Sequence, residues 1–329
     1  MRRQALLAIT LALSGCGSAD APGTGGAADA ATAPDGNASA DSDAAPTPTA
    51  RCTGLTAQDA DRLWTLSVGA RDRTFWVHVP PSYDPDKATA VVLDFHGYSS
   101  NATQQALWSG MNTASDADGF IAVHPEGMGA TPSWNAGACC GEAAAQGVDD
   151  VAFVSAILDA LAGELCVDPA RVFATGMSNG GFLSHRLGCE LSDRIAAIAP
   201  VAGVLGVPTC TPSRPVPVMH FHGTLDTLVP FDGDAAAGFP SVQDTIDGWV
   251  DRDGCSGDPE TVFDQGDAHC DAWTGCDQGS EVVLCVIDGG GHTWPGGVPV
   301  PSLGHTSTDI SATDAAWQFF SRHPMPESR

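Results

Sequence analysis

Ser178 stands at the centre of Gly176-Met177-Ser178-Asn179-Gly180, a G-x-S-x-G pattern inside the stretch RVFATGMSNGGFL. A serine hydroxyl becomes a useful nucleophile only when a base takes its proton and an acid orients that base. The pattern can hold such a serine on a sharp turn between a strand and a helix, with its oxygen exposed. Here the β-branched and aromatic pair Val172-Phe173 comes before it, and a helical stretch to about Leu187 comes after it. Gly176 and Gly180 allow two backbones to approach closely at that turn. At the start of the helix the Asn179 N–H has no intrahelical acceptor, so it is free to hold an oxyanion. A Gly-rich turn with an incidental serine would read the same way, and the partners decide between the two.

On a strand–turn–helix nucleophile of this kind the chain order is serine, then acid, then histidine. The apolar run Val216–Phe221 ends in HFHGTLDTLVP, and Asp226 falls a few residues beyond it. That places Asp226 at the C-terminal edge of a sheet, where open α/β sheets bind ligands. Asp232, Asp234 and Asp244 lie farther from the strand end. Ten histidines compete for the base. His78, His96, His124, His185, His220 and His222 precede Asp226 or sit inside elements, and His323 is at the tail. Of His269, His292 and His305, only His292 lies in a Gly-rich loop, VIDGGGHTWPGG, directly after a strand. Three glycines there let the imidazole swing over the sheet edge. The second oxyanion donor should follow an early central strand, and LDFHGYSSN points to the backbone N–H of Tyr98. One such donor is worth roughly 3 kcal/mol of transition-state stabilisation. His220 and His222 share one strand face near Asp226 and raise a rival metal pair, but no third ligand stands near them, and neither metal nor cofactor is expected.

These residues need elements to hold them. Leu63–Val68 and Thr74–Val79 read as a hairpin around GARDR, and Ala90–Phe95 as a buried strand. A helical stretch around Thr103–Ser115 leads to a second buried strand in GFIAVHPEG. Asp149–Leu165 is helical, with apolar residues every three or four positions and Asp149 or Asp150 as its cap. Strand Arg171–Thr175 feeds the Ser178 turn, and Ile195–Ala202 and Val216–Phe221 are further strands. Ser241–Val250 is helical, Glu281–Ile287 a strand, and Asp314–Ser321 a closing helix. Alternating strands and helices predict an α/β fold with a mostly parallel sheet covered on both faces.

The chain has 329 residues, is 43% hydrophobic and carries a formal charge of −26. So acidic a surface repels nucleic acid and anionic lipid heads. Arg2 and Arg3 followed by apolar Ala5–Leu13 read as a secretory signal over residues 1–15. Leu13-Ser14-Gly15-Cys16 resembles the lipobox of bacterial lipoproteins, which makes Cys16 the lipidation site. Residues 16–51 are Ala, Gly, Asp, Ser, Thr and Pro for the most part and predict a flexible tether. Residues 52–329 are then one catalytic domain, expected to be a monomer outside the cytoplasm. With Cys16 lipidated, ten of the eleven cysteines remain, an even number that argues for disulfides in an exported chain. Local pairs Cys270–Cys276 and Cys189–Cys210 are expected, with Cys139 and Cys140 bonded to different partners.

With these residues in place, the chain resembles the secreted esterase family of polyhydroxybutyrate depolymerases, feruloyl esterases and acetylxylan esterases. The resemblance runs from about Thr74 to Phe320. It rests on LDFHGYSSN, GFIAVHPEG, SWNAGACCGEAAAQGVDDVAFV, RVFATGMSNGGFLSHRL, IAAIAPVAG, HFHGTLDTLVPFDG and GGGHTWPGG, in that order. It implies an α/β-hydrolase fold and the same Ser178–Asp226–His292 set. It also implies that Trp134 lies near the substrate and that Trp294 walls the same site. Depolymerases of insoluble polyester usually carry an added binding domain, and none is evident here, which favours a soluble ester or a short oligomer. The expected function is hydrolysis of feruloyl esters, acetyl-polysaccharide esters such as those of plant cell walls, or hydroxybutyrate oligomers. The alternative is a surface binding protein on the same scaffold.

Overall fold

The computed structural model describes Cys52 and residues 62–326, so the expected signal peptide and the whole of the expected tether, Cys16 included, lie outside the described residues. Ten strands form one sheet: β1 Arg62–Val68, β2 Arg71–His78, β3 Thr89–Phe95, β4 Ile121–Pro125, β5 Val167–Met177, β6 Ala197–Val201, β7 Val218–Gly223, β8 Glu260–Gln265, β9 Ala268–Trp273 and β10 Val282–Ile287. The helices are α1 Ala102–Ser109, α2 Met111–Asp118, α3 Gly141–Ala145, α4 Asp150–Glu164, α5 Asn179–Glu190, α6 Val242–Arg252 and α7 Ala312–Ser321. The strand order is β1-β2-β4-β3-β5-β6-β7-β10-β9-β8. From β4 to β10 in that order neighbours run parallel. The flanking pairs at both edges are antiparallel.

The central strands are continuous apolar runs because helices cover both of their faces. Val91, Leu93 and Phe95 of β3 face one core, with Phe153, Ile157 and Leu161 of α4 and Phe182 of α5. Ala90 and Val92 face the other, with Phe173, Phe221, Phe319 and Phe320. The expected helix over Thr103–Ser115 is two helices, because Gly110 adopts φ 68° and turns the chain between them. Asp149, not Asp150, caps α4 by accepting from the Ala152 N–H. Asp150 is buried and paired to Arg73 at 2.8 Å.

The β8–β9 hairpin is absent from the sequence reading. β8 is exposed along its length except for half-buried Phe263, and in β9 the small residues Ala268, Cys270 and Ala272 turn inward. All ten described cysteines are paired. Cys189–Cys210 forms as expected. The expected Cys270–Cys276 bridge does not: Cys270 is paired with Cys285, its direct cross-strand partner on β10, and Cys276 with Cys255. Cys139 and Cys140 are bonded to each other rather than to separate partners. Cys52 joins Cys166, tying residue 52 to the start of β5.

Candidate active site

β5 ends at Met177, and α5 begins at Asn179, so Ser178 is the whole turn between them. Its backbone sits at φ 57°, ψ −122°, a conformation that L residues rarely adopt. The turn is pinned on both sides: the Ser178 N–H donates to the Val201 carbonyl at 2.9 Å, and its own carbonyl accepts from Phe182 at 2.9 Å. A Cβ on Gly176 would stand 2.6 Å from the Phe95 carbonyl, and one on Gly180 would collide with that same oxygen. Packing α5 directly against the end of β3 therefore requires both glycines.

Asp226 follows β7 and His292 follows β10, so both lie past the C-terminal ends of parallel strands, as Ser178 does. His292 Nδ1 and Asp226 Oδ2 are 2.6 Å apart. Asp226 Oδ1 accepts from the N–H groups of Leu228 and Val229 at 2.8 and 2.9 Å. These bonds occupy the carboxylate with donors, and Nε2 is left as the histidine nitrogen free to exchange a proton. Burial pushes the Asp226 carboxyl up, but the hydrogen bond and charge of His292, helped by His222 and the Val229 N–H, outweigh it and hold the group below the usual carboxylate range.

The other histidines and aspartates weighed from the sequence have separate tasks. His305 braces the His292 loop: its carbonyl accepts from the Gly291 N–H at 2.9 Å, and its ring bonds Asp267 at 2.5 Å. His269 is half-exposed on β9, 4.0 Å from Asp288. Asp244 belongs to the capping box of α6, and Asp234 accepts the N–H groups of Ala236 and Ala237 in its own turn. The ring nitrogens of His220 face His185 and His222 at 3.2 and 3.0 Å, so the pair imagined as metal ligands is spent on hydrogen bonds between histidines.

Two N–H groups belong to the two segments that meet at Ser178, the Gly97–Tyr98 loop and the start of α5. The Asn179 N–H opens α5, and among the described residues neither it nor the Tyr98 N–H meets an acceptor. The Gly97–Tyr98 loop lies against the serine, with a Gly97 Cβ position 3.3 Å from Ser178 Cβ. His96, which the sequence reading passed over, fixes this loop. The Gly127 N–H donates to His96 Nε2 at 2.8 Å, so the ring proton must sit on Nδ1 and donate to the Gly97 carbonyl at 2.7 Å. That carbonyl and the Tyr98 N–H belong to one planar peptide, so holding one aims the other. Burial lowers the His96 pKa to about 4, which keeps the ring neutral for this task.

Trp134 connects the two donors from below. Its indole N–H donates to the His96 carbonyl at 2.8 Å. Its backbone is clamped by the Asn179 side chain, which accepts from the Trp134 N–H at 2.7 Å and donates to its carbonyl at 3.1 Å. The ring has no exposed surface. Trp134 is therefore buried against both segments that meet at Ser178. Trp294 lines a cleft with Trp108, Met177, Thr293, Val298, Val300 and Leu303. Met177 and Thr293 are chain neighbours of Ser178 and His292, but Ser178 and His292 do not themselves line it.

A mostly parallel sheet with a strained serine on the turn after a central strand, and an acid and a histidine past the ends of later strands, defines an α/β-hydrolase fold. A model of the family described as Esterase PHB depolymerase matches residues 74–207. "Putative esterase NocK" of Nocardia uniformis subsp. tsuyamanensis is 30% identical over 277 residues, which is 77% of this chain and 80% of that one. The chain belongs to this esterase family. Feruloyl esterase B of Piromyces equi is 34% identical over 235 residues, 66% of this chain but 42% of that protein, so this chain spans less than half its length. The fold is also that of acetyl xylan esterase from Aspergillus awamori, with a TM-score of 0.57 at 15% identity over 79% of this chain and 99% of that one.

Proposed function

We propose that this protein is an exported serine esterase that cleaves carboxylic esters through an acyl-enzyme. The observation that carries the reading is the buried 2.6 Å Asp226–His292 pair on the sheet edge that also bears the strained Ser178. Ser178 Oγ attacks the ester carbonyl carbon while His292 Nε2 takes its proton, and Asp226 stabilises the imidazolium. The carbonyl oxygen becomes an oxyanion held by the N–H groups of Tyr98 and Asn179. The carbon–oxygen bond to the alcohol then breaks, and the proton on His292 passes to the departing oxygen. Water enters, gives a proton to His292 and attacks the acyl carbon, and the acid leaves as the proton returns to Ser178.

The substrates that fit are feruloyl or acetyl esters of polysaccharide, or short hydroxybutyrate oligomers. The names of the feruloyl and acetylxylan esterase relatives support the first two. Residues 52–329 form the catalytic domain. Ten paired cysteines suit an oxidising compartment, and residues 1–15 as a signal, a lipid on Cys16 and a tether to residue 51 would hold the domain off a membrane. A fluorophosphonate probe tests the chemistry: the wild type should label and Ser178→Ala should not. A wild type that fails to label, with its fold intact, overturns the assignment and leaves a binding protein on an esterase scaffold.

A further inference from the structure

Behind Asp226, three buried histidines stand in a line that ester hydrolysis does not use. His185 on α5 and His220 and His222 on β7 are nearly or wholly without exposed surface. The Trp249 indole N–H on α6 meets His185 Nδ1 at 3.0 Å. His185 Nε2 meets His220 Nδ1 at 3.2 Å, and His220 Nε2 meets His222 Nδ1 at 3.0 Å. His222 Nε2 then meets the Val229 carbonyl at 2.8 Å and lies 3.5 Å from Asp226 Oδ2.

The two ends of this line cannot change roles. An indole nitrogen only donates, and a carbonyl oxygen only accepts. Starting from Trp249, His185 Nδ1 must accept, so its proton is on Nε2, and the same step repeats through His220 to His222. Starting from Val229, His222 must donate from Nε2, and the chain resolves in the same direction. A doubly protonated ring anywhere in the line would set two N–H groups against each other. Burial keeps all three neutral, lowering His185 to about 3 and pushing His220 and His222 down as well.

We propose that the Trp249–His185–His220–His222 chain is a positioning device for Asp226, its protons locked in one direction so that His222 always turns Nε2–H toward Val229 and the Asp226 carboxylate. His222 thereby holds the carbonyl of the residue whose own N–H binds Asp226 Oδ1, and it faces Asp226 Oδ2 beside His292. A histidine of the opposite tautomer would present a lone pair to both oxygens and drive the loop apart. Trp249 and His185 act only through His222, and the role rests on Asp226 being the triad acid.

The test joins a spectroscopic readout to kinetics. Nitrogen NMR of histidine-labelled wild type should show all three buried rings protonated at Nε2 and bare at Nδ1. His222→Phe keeps the ring shape without the donor and should lower kcat by about 10- to 100-fold at unchanged KM. His222→Gln restores an amide N–H near the Nε2 position and should recover to within about threefold. Trp249→Phe removes one of the two fixed ends, and because the Val229 carbonyl still accepts from His222 Nε2, the three rings should stay protonated at Nε2. The proposal is overturned by an Nδ1–H form at any of the three rings in the wild type. It is also overturned if folded His222→Phe turns over at the wild-type rate. Because the tautomer signals are read without substrate, they separate this proposal from the triad itself, whose failure would appear as an active Asp226→Asn.

Discussion

Replacing Asp226 by Asn changes one atom and should remove most of the activity. Asp226 Oδ1 faces two backbone donors at 2.8 and 2.9 Å, so an asparagine must turn its carbonyl oxygen to them. Its NH2 group then meets His292 Nδ1 across the position where the carboxylate oxygen stood at 2.6 Å. The imidazole can accept there only by moving its proton to Nε2, the nitrogen that must receive the Ser178 proton. The resting base is thus in the wrong tautomer, and the imidazolium loses a charged partner worth about 1.5–3 kcal/mol. Together these should lower kcat by about 10³- to 10⁴-fold, roughly 4–5.5 kcal/mol. KM should stay within about threefold, because Asp226 touches no substrate. Steady-state hydrolysis of p-nitrophenyl acetate measures both constants, and a thermal melt checks the fold. A folded Asp226→Asn within about tenfold of wild-type kcat would refute the assignment of Asp226.

Three further outcomes follow from the packing. Gly180→Ala would drive a methyl group against the carbonyls of Phe95 and His96 at the end of β3, and should cost about 3 kcal/mol in urea unfolding or prevent folding; an unchanged midpoint would contradict the close approach. Arg73→Met would strand the buried Asp150 carboxylate, which then keeps only the Asn135 N–H at 2.7 Å, and should destabilise by about 3–5 kcal/mol; Arg73→Met combined with Asp150→Leu should recover much of it. Stability should also fall with acid. Burial lowers His96 to about 4 and His185 to about 3, so below about pH 6.5 the unfolded chain binds protons that these rings refuse, each losing about 1.4 kcal/mol per pH unit. Asp253, pushed up to about 6 by burial, takes up a proton in the folded state and offsets one of these rings, while His220 and His222, also pushed down by burial, add to the loss. A melting temperature that holds or rises from about pH 6 to about pH 5 would contradict the balance.

The parts of the fold legible in the sequence were those with one strong local cause. The central strands announce themselves as apolar runs such as AVVL and VVLCVI, and α4 by its regular spacing. Ser178, Asp226 and His292 could be picked out because strand, turn and chain order constrain them together. What stayed hidden depended on partners distant in sequence. The β8–β9 hairpin has few inward residues, so its pattern is faint, and without it the Cys270–Cys285 pairing had no register to suggest it. The bonds of Trp134 to the His96 carbonyl and the Asn179 side chain were hidden because both partners are distant in sequence. His222 was weighed as a metal ligand because the sequence shows two histidines on one strand face but not His185, 37 positions earlier, whose proton orients them.

The central claim is that Ser178 carries the acyl group between two half-reactions. Acid-quenching the enzyme during turnover of p-nitrophenyl acetate, followed by peptide mapping by mass spectrometry, measures this directly. The predicted result is a single acetylated peptide spanning RVFATGMSNGGFL, with the group on Ser178, present during turnover and gone once substrate is spent. An acetyl group on a different residue, or steady turnover with no protein-bound acyl group at any quench time, would contradict it.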